Sequence, residues 1–294
     1  MKSGFVAILG RPNVGKSTLL NAILNKKVSI VTDKAQTTRD DIKGIFNSED
    51  AQIVFIDTPG IHKPHQKLGQ EMNNMAFGAA HNVDASILVI DSSKSFGDGD
   101  RYLLDHLDIN NAPLIIVLNK IDLVKITEAQ KLRSIYEEKF PNATILECVA
   151  KEKFNVDTLI SRLIEILPEG PRYYDVAEVS DKDEIFQIKE IIREKILKTL
   201  RDEVPHSIAI YMENIEWEEN PIEIKASIIV EKDSQKGIVI GAGGRRIRDI
   251  GTKARRDIEK LLNKHVFLEL FVKVSEDWRN QEDALSKFGY KYEK

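Results

Sequence analysis

The chain has 294 residues, 42% of them hydrophobic and 31% charged, with a formal net charge of -4. That length leads us to expect two domains, each able to bury its own core, and the slight acidity argues against nonspecific adhesion to nucleic acid or membrane, so any basic patch must be local. The single cysteine, Cys148, excludes an internal disulfide framework and fits a reducing compartment.

The opening residues carry Lys2 as their only cation, and the apolar run from Phe5 to Leu9 passes straight into a glycine loop. This is not the pattern of a secretion signal, and other apolar runs such as LIIVL from Leu114 are strand-length, so we expect a cytoplasmic protein. FVAILG, IVFIDT, ASILVID and PLIIVLNK read as strands buried on both faces, while segments near 15–25, 68–82, 98–110, 127–139 and 155–167 have helical character. The alternation predicts an α/β domain over residues 1–168, a mostly parallel, doubly wound sheet with helices on both sides. DDIKGIFNSEDAQIVFIDT reads as a hairpin turning at Ser48-Glu49-Asp50, which places one antiparallel edge strand. Residues 169–180, within the proline-containing stretch PEGPRYYDVAEVSD, have no helical period and read as a linker.

From 181 to 294 the pattern changes. EIFQIKEIIREKILKTL carries apolar residues at 185, 188, 192, 196 and 200, a helical face. SIAIYMENIEW and IEIKASIIVEK read as strands, followed by a glycine loop, a helix with Ile247, Ile250, Ala254, Ile258 and Leu261 at helical spacing, and the strand HVFLELFVKV. The order α-β-β-α-β predicts a smaller α+β domain.

The stretch GRPNVGKS matches G-x-x-x-x-G-K-[ST] after a strand and at the opening of a helix. Its glycines let backbone N–H groups close around a β-phosphate, the helix N-terminus adds its positive dipole end, Lys16 reaches the β and γ oxygens, and Ser17 offers a hydroxyl to Mg²⁺. We therefore expect Gly10, Arg11, Pro12, Asn13, Val14, Gly15, Lys16, Ser17 and Thr18 to bind a nucleotide. In FIDTPG, Asp57 ends an apolar strand where its carboxylate can hold Mg²⁺ through water; Thr58, Pro59, Gly60 and Ile61 follow, and the Gly60 N–H can meet the γ-phosphate. VLNKID ends another buried strand with Asn119, Lys120, Ile121 and Asp122. A carboxylate there suits guanine, whose N1 and exocyclic N2 offer two N–H donors that adenine lacks.

In this order the motifs resemble those of GTPases of the translation-factor class, across the whole first domain. The resemblance implies GTP hydrolysis to GDP with Mg²⁺, a catalytic set of Lys16, Thr38 and Gly60, and Thr38 of QTTRD as the switch threonine on Mg²⁺, with adjacent Thr37 as the alternative. It also implies that Ala150 of CVAK, where similar GTPases have Ser-Ala-Lys, turns its backbone N–H toward the guanine oxygen. Many such GTPases carry a glutamine after the DTPG glycine to orient the attacking water. Here that position is Ile61. Asn13 stands where GTPases with such a replacement can bind K⁺, and the reading that it only braces the loop remains open. His62 and His65 are given no catalytic part.

VIGAGGRRIRDIGTKARR, residues 239–256, holds G-x-x-G from Gly241 to Gly244 before a basic helix. In its α+β setting it resembles the KH fold of the second topological type, whose glycine loop admits a nucleic-acid backbone beside a groove for four single-stranded nucleotides. The resemblance implies RNA contacts from Ile240, Gly241, Ala242, Gly243, Gly244, Arg245, Arg246, Arg248 and Lys253, with Arg255 and Arg256 extending the basic side and residues 238–240 flooring the groove. Together the two domains resemble a family of bacterial ribosome-assembly GTPases. That likeness implies binding to small-subunit (16S) ribosomal RNA near its 3′ end, a part in small-subunit maturation, a monomeric state and peripheral association with the inner membrane face. Two other readings stand beside it: a constitutive RNA-binding protein with a structural nucleotide, favoured by Ile61, and a tRNA-modification GTPase, which would want a further domain.

Overall fold

The computed structural model describes residues 1–34, 36–108, 112–200 and 204–290. Its contacts divide the chain into two compact units that meet in sequence at Asp181 and Lys182.

The first unit contains strands β1 (Lys2–Leu9), β2 (Ile42–Asn47), β3 (Ala51–Asp57), β4 (Ala85–Asp91), β5 (Leu114–Asn119) and β6 (Thr144–Cys148). Its helices are α1 (Lys16–Leu24), α2 (Lys67–His81), α3 (Asp98–His106), α4 (Ile126–Lys139) and α5 (Val156–Ile166). One sheet runs in the order β2-β3-β1-β4-β5-β6, and every described pairing is parallel except β2 with β3. Successive side chains of a strand point to opposite faces. Val6 and Ile8 of β1 therefore pack with Leu19, Leu20, Leu159 and Leu163 from α1 and α5, while Ala7 and Leu9 pack with Ala76, Leu103 and Leu132 from α2, α3 and α4. Both faces are dry, which is why these strands read as unbroken apolar runs.

The expected hairpin is present, with Asn47 opposite Gln52 and Ser48 Oγ accepting from the Ala51 N–H at 3.0 Å. The helix expected over 98–110 ends at His106, and residues 109–110 lie outside those described. Strand β6 was not anticipated, because it is short and only partly apolar, with Thr144 exposed and Glu147 half-buried.

The stretch read as a linker is laid against the first unit. Ile45 N–H donates to Val179 O at 2.9 Å, and Lys2 and Gly44 form isolated bridges with Glu169 and Ser180. Gln52, fully buried, accepts the N–H groups of Tyr173 and Tyr174 at 2.6 and 3.0 Å and donates to Tyr174 O at 2.9 Å. The physical reason is the sheet edge: β2 has an unpaired side whose backbone groups need partners, and residues 179–181 supply them.

The second unit comprises α6 (Glu184–Thr199), β7 (Ala209–Glu216), β8 (Ile222–Val230), α7 (Asp233–Ile240), α8 (Arg245–Leu262), β9 (Val266–Val274) and α9 (Glu282–Phe288). Asp183 caps α6 by accepting the Phe186 N–H at 2.7 Å. The sheet order β7-β8-β9 combines an antiparallel and a parallel pair and leaves β9 at an edge. Ile222, Ile224, Ala226, Ile228 and Val230 share one face of β8 and pack with Ile188, Ile192 and Ile196 of α6 and Ile250, Ala254 and Ile258 of α8.

Residues 233–240, which lie between the expected strand and the glycine loop and carry no predicted element, are helical. Gln235 Oε1 accepts the N–H groups of Glu231 and Lys232 at 2.8 and 3.2 Å, which closes the start of α7, and Val239 then falls on the buried face, one turn past Gln235. A short apolar run does not by itself distinguish strand from helix. The order is therefore α-β-β-α-α-β, with α9 beyond it. Among the described residues no helix is long and apolar enough to cross a membrane.

Replacing Gln52 with leucine should destabilise the protein by about 1–3 kcal/mol in urea unfolding, because two backbone N–H groups lose a buried acceptor. Hydrogen exchange at Tyr173 and Tyr174 should accelerate in the same variant.

Candidate nucleotide site and nucleic-acid groove

Sheet register brings distant motifs into one row. Ile8 pairs with Asp57, Leu9 with Leu88, and Asn119 with both Asp91 and Cys148. The phosphate loop, Asp57, Asn119 and Ala150 therefore emerge side by side at the carboxyl ends of parallel strands, where open α/β sheets bind ligands.

Lys16 is 6% exposed, and its ammonium donates to the carbonyls of Gly10 and Arg11 at 3.1 and 3.0 Å. Burial lowers its pKa to about 8 despite the raising influence of Asp57. Burial pushes the Asp57 carboxyl the other way, upward, against Lys16 and the hydroxyls of Ser17 and Ser29. Ser17 Oγ donates to Asp57 Oδ2 at 2.7 Å and lies 2.8 Å from Thr38 Oγ1, while Ser29 Oγ donates to the same carboxylate oxygen at 2.9 Å. Asp57 Oδ1 is buried with no hydrogen-bond partner among the described residues.

Converging hydroxyls beside an unpartnered carboxylate oxygen suit a small hard cation. Ser17, Thr38 and Asp57 are the residues that would hold Mg²⁺, which when bound neutralises charge on the nucleotide's phosphate oxygens. Thr37 donates instead to Lys34 O at 2.7 Å and bonds Thr32 Oγ1 at 2.7 Å, so of the two threonines it is Thr38 whose hydroxyl bonds Ser17. Ser29 has no motif to announce it, and sequence reasoning missed it.

Lys16, Ser17, Thr18, Gln36, Thr38 and Lys120, with Gly60 and Thr37 among others, line a cavity of about 280 Å³. Gly60 lies so close to the phosphate loop that a Cβ there would come within 2.6 Å of the Pro12 backbone. Thr58 is structural, its hydroxyl donating to Ile8 O at 2.8 Å. Ile61 is fully buried, and its N–H donates to Gly10 O at 3.1 Å. Arg11 turns to Asp100, with Nη1 donating at 2.9 Å. Asn13 Nδ2 donates to Asp33 O at 3.0 Å, a brace that leaves its oxygen without a protein partner among the described residues.

On the base side Asn119 is a scaffold. Its Nδ2 donates to Val14 O at 2.9 Å, and its Oδ1 accepts the Ala150 N–H at 3.0 Å. The Ala150 amide expected to meet guanine is thus engaged by Asn119, because β5 and β6 end side by side. Lys120 donates to Asn13 O and Asp91 Oδ2, both at 2.7 Å, tying base loop to phosphate loop. Burial would raise the Asp91 carboxyl, but hydrogen bonds from Lys120 and Ser93 hold it below its ordinary value. Ile121 packs on the core, whereas Asp122 is exposed and has no protein partner among the described residues.

In the second unit the glycine loop joins two helices. Gly241, Gly243 and Gly244 have φ of 71°, 59° and 72°, and a Cβ on Gly241 would lie 2.7 Å from Arg246 Cβ. Arg246 folds back to donate to Ile238 O at the end of α7, and Lys253 pairs with Asp249 at 2.7 Å. Arg245 and Arg248 are exposed without ion-pair partners among the described residues. A groove of about 460 Å³ runs between α8 and the edge strand β9, lined by Gly244, Ile247, Arg248, Gly251, Arg255 and Leu270 among others. Residues 238–240 do not floor it: Val239 is in the core, and the apolar wall comes from Ile247 and β9. The β9 contribution lies beyond a helix in sequence, and no local pattern marks it.

A lysine-bearing phosphate loop, a buried hydroxyl-carboxylate cluster and a carboxylate at the base position define a P-loop GTP-binding domain; the glycine turn and cationic groove define a KH-type nucleic-acid module. Residues 5–120 match the family model described as 50S ribosome-binding GTPase, and residues 203–279 match the KH domain. The chain is 37% identical to Era crystallised with MgGDPNP and nucleotides 1506–1542 of 16S ribosomal RNA, over 99% of this chain and 100% of that one, with a TM-score of 0.95. A variant of Aquifex aeolicus Era bound to GDP and AlF₄⁻ is also 37% identical over 99% and 100% of the chains, with a TM-score of 0.93. The chain belongs to the Era family, and it is a GTPase that works with GTP, GDP and Mg²⁺.

Changing Asp122 to asparagine should cost about 1.5–3 kcal/mol of GDP affinity, the worth of hydrogen bonds to a charged group. Titration calorimetry should show xanthosine diphosphate, whose O2 accepts where guanine N2 donates, gaining on GDP in the same variant.

Proposed function

We propose that this protein is a cytoplasmic GTP-driven switch that binds the 3′ end of 16S ribosomal RNA through the groove between α8 and β9 and assists maturation of the small ribosomal subunit. The observation that carries this reading is likeness over 99% of the chain to an Era bound to nucleotides 1506–1542 of that RNA, together with a groove of basic and apolar side chains in the KH module of this chain. The family model named for 50S binding covers residues 5–120, the nucleotide domain, and so does not bear on which RNA the groove takes. Ile247 and Leu270 offer apolar contact for bases, β9 offers an unpaired backbone edge, and Arg245 and Arg248 offer phosphate contacts.

Steady-state GTP hydrolysis with and without a single-stranded RNA copied from that 3′ end tests the switch. Acceleration by the RNA is expected; a rate indifferent to it would leave a GTPase and an RNA clamp merely tethered. Replacing Arg245 and Arg248 together with alanine should weaken binding across sequences and shallow the salt dependence, about one unit of slope per lost phosphate contact. The free Asn13 oxygen further supports K⁺ assistance, for which hydrolysis should be faster in KCl than in NaCl and the difference should vanish in Asn13→Ala.

A further inference from the structure

We propose that Gln36 orients the attacking water and that His62 is the side chain that positions it. The proposal rests on the GTPase activity and is independent of the RNA partner.

The need arises at Ile61. The residue after Gly60 is fully buried in the core with Leu9, Leu88 and Leu103, so neither its chemistry nor its place allows contact with a water over the γ-phosphate. The task requires one group that accepts a hydrogen bond from water and donates one to a phosphoryl oxygen, and a carboxamide does both. Among the described residues lining the nucleotide cavity, Asn13 and Gln36 are the carboxamides. Asn13 lies in the phosphate loop, and its amide nitrogen is given to Asp33 O. Gln36 lies two residues before Thr38, in the segment that also lines the cavity with Thr37, and its backbone is left-handed with φ of 58°.

His62 fixes that amide. Gln36 Nε2 lies 3.0 Å from His62 Nε2, and an amide nitrogen only donates, so the ring nitrogen accepts. The other ring nitrogen, Nδ1, then carries the proton and donates to Gly60 O at 2.9 Å. One neutral tautomer satisfies both contacts. The His62 backbone is itself held by Asn73 of α2, which accepts its N–H at 3.3 Å and donates to its carbonyl at 2.7 Å. The imidazole thus bridges Gln36, in the segment leading to Thr38, and Gly60 from an anchored base. The latch leaves Gln36 with one amide hydrogen uncommitted and an oxygen that has no protein partner among the described residues.

In hydrolysis the water oxygen bonds to the γ-phosphorus as the bond to the β-γ bridging oxygen breaks. The electron pair leaves on GDP, and the water proton passes to a phosphoryl oxygen. Gln36 neither gains nor loses a proton; its oxygen accepts from the water and its N–H donates to the transferring group.

Gln36→Gly is the informative variant, because glycine takes the left-handed backbone without strain. We expect kcat to fall at least about tenfold, with KM for GTP and Kd for GDP within about twofold, the signature of an interaction made only in the transition state. The tight complex with GDP and AlF₄⁻, followed by fluorescent GDP, should be lost in parallel. His62→Phe should lower kcat on its own and add nothing in the Gln36→Gly background. Unchanged kcat or an undiminished AlF₄⁻ complex in Gln36→Gly would overturn the proposal, and fully multiplicative effects in the double variant would remove His62 from it. Absence of hydrolysis by the unaltered protein, with RNA present, would overturn the GTPase reading along with it.

Discussion

Two dehydrated opposite charges, the Lys16 ammonium and the Asp57 carboxylate, set the terms for the first unit. Burying an ion costs several kcal/mol unless partners replace its water. Lys16 finds two loop carbonyls and Asp57 finds two serine hydroxyls, yet burial still lowers the lysine pKa and raises the aspartate pKa. Each charge is incompletely compensated by protein alone. Phosphate for the lysine and a divalent cation for the hydroxyl-carboxylate cluster supply what is missing, so the affinity for a magnesium nucleotide follows from how the strands β1 and β3 end next to each other.

The segment after Asp57 shows packing and chemistry drawing on the same few residues. Gly60 must stay small to touch Pro12, and Ile61 is driven into the core, where its N–H also secures Gly10. This arrangement fixes the segment after Asp57 firmly at its start. It also removes position 61 from the reaction and makes His62 the first side chain after Gly60 able to reach the opposite switch segment.

The second unit reuses one device of the first, a glycine turn feeding a helix N-terminus, for a different purpose. In the phosphate loop the turn is closed over by Asn119, Lys120 and Gly60, which yields a compact cavity. Around Gly241–Gly244 the turn joins two helices and opens onto an edge strand, which yields an elongated groove. A chain with a net charge of -4 can still present a cationic groove, because Arg245 and Arg248, exposed and without ion-pair partners among the described residues, stand together on that one helix.

The sequence by itself determined the local backbone requirements. Gly10, Gly15, Gly241, Gly243 and Gly244 stand at positive φ in the two loops, apolar runs mark strands buried on both faces, and helical spacing marks α6 and α8, so the α/β architecture, the phosphate loop, the base-reading stretch and the glycine turn were all legible from contiguous residues. Only the tertiary structure decided what each side chain faces. It helped place α7 as a helix through Gln235, engaged the Ala150 amide with Asn119, laid residues 169–181 along the sheet edge, and set β9 opposite α8 to make the groove. It also separated Thr38 from Thr37 and joined Gln36 to His62. The physical reason is that backbone conformation is set largely by near neighbours, whereas burial and hydrogen-bond partnership are set by strand register and packing between residues far apart in the chain.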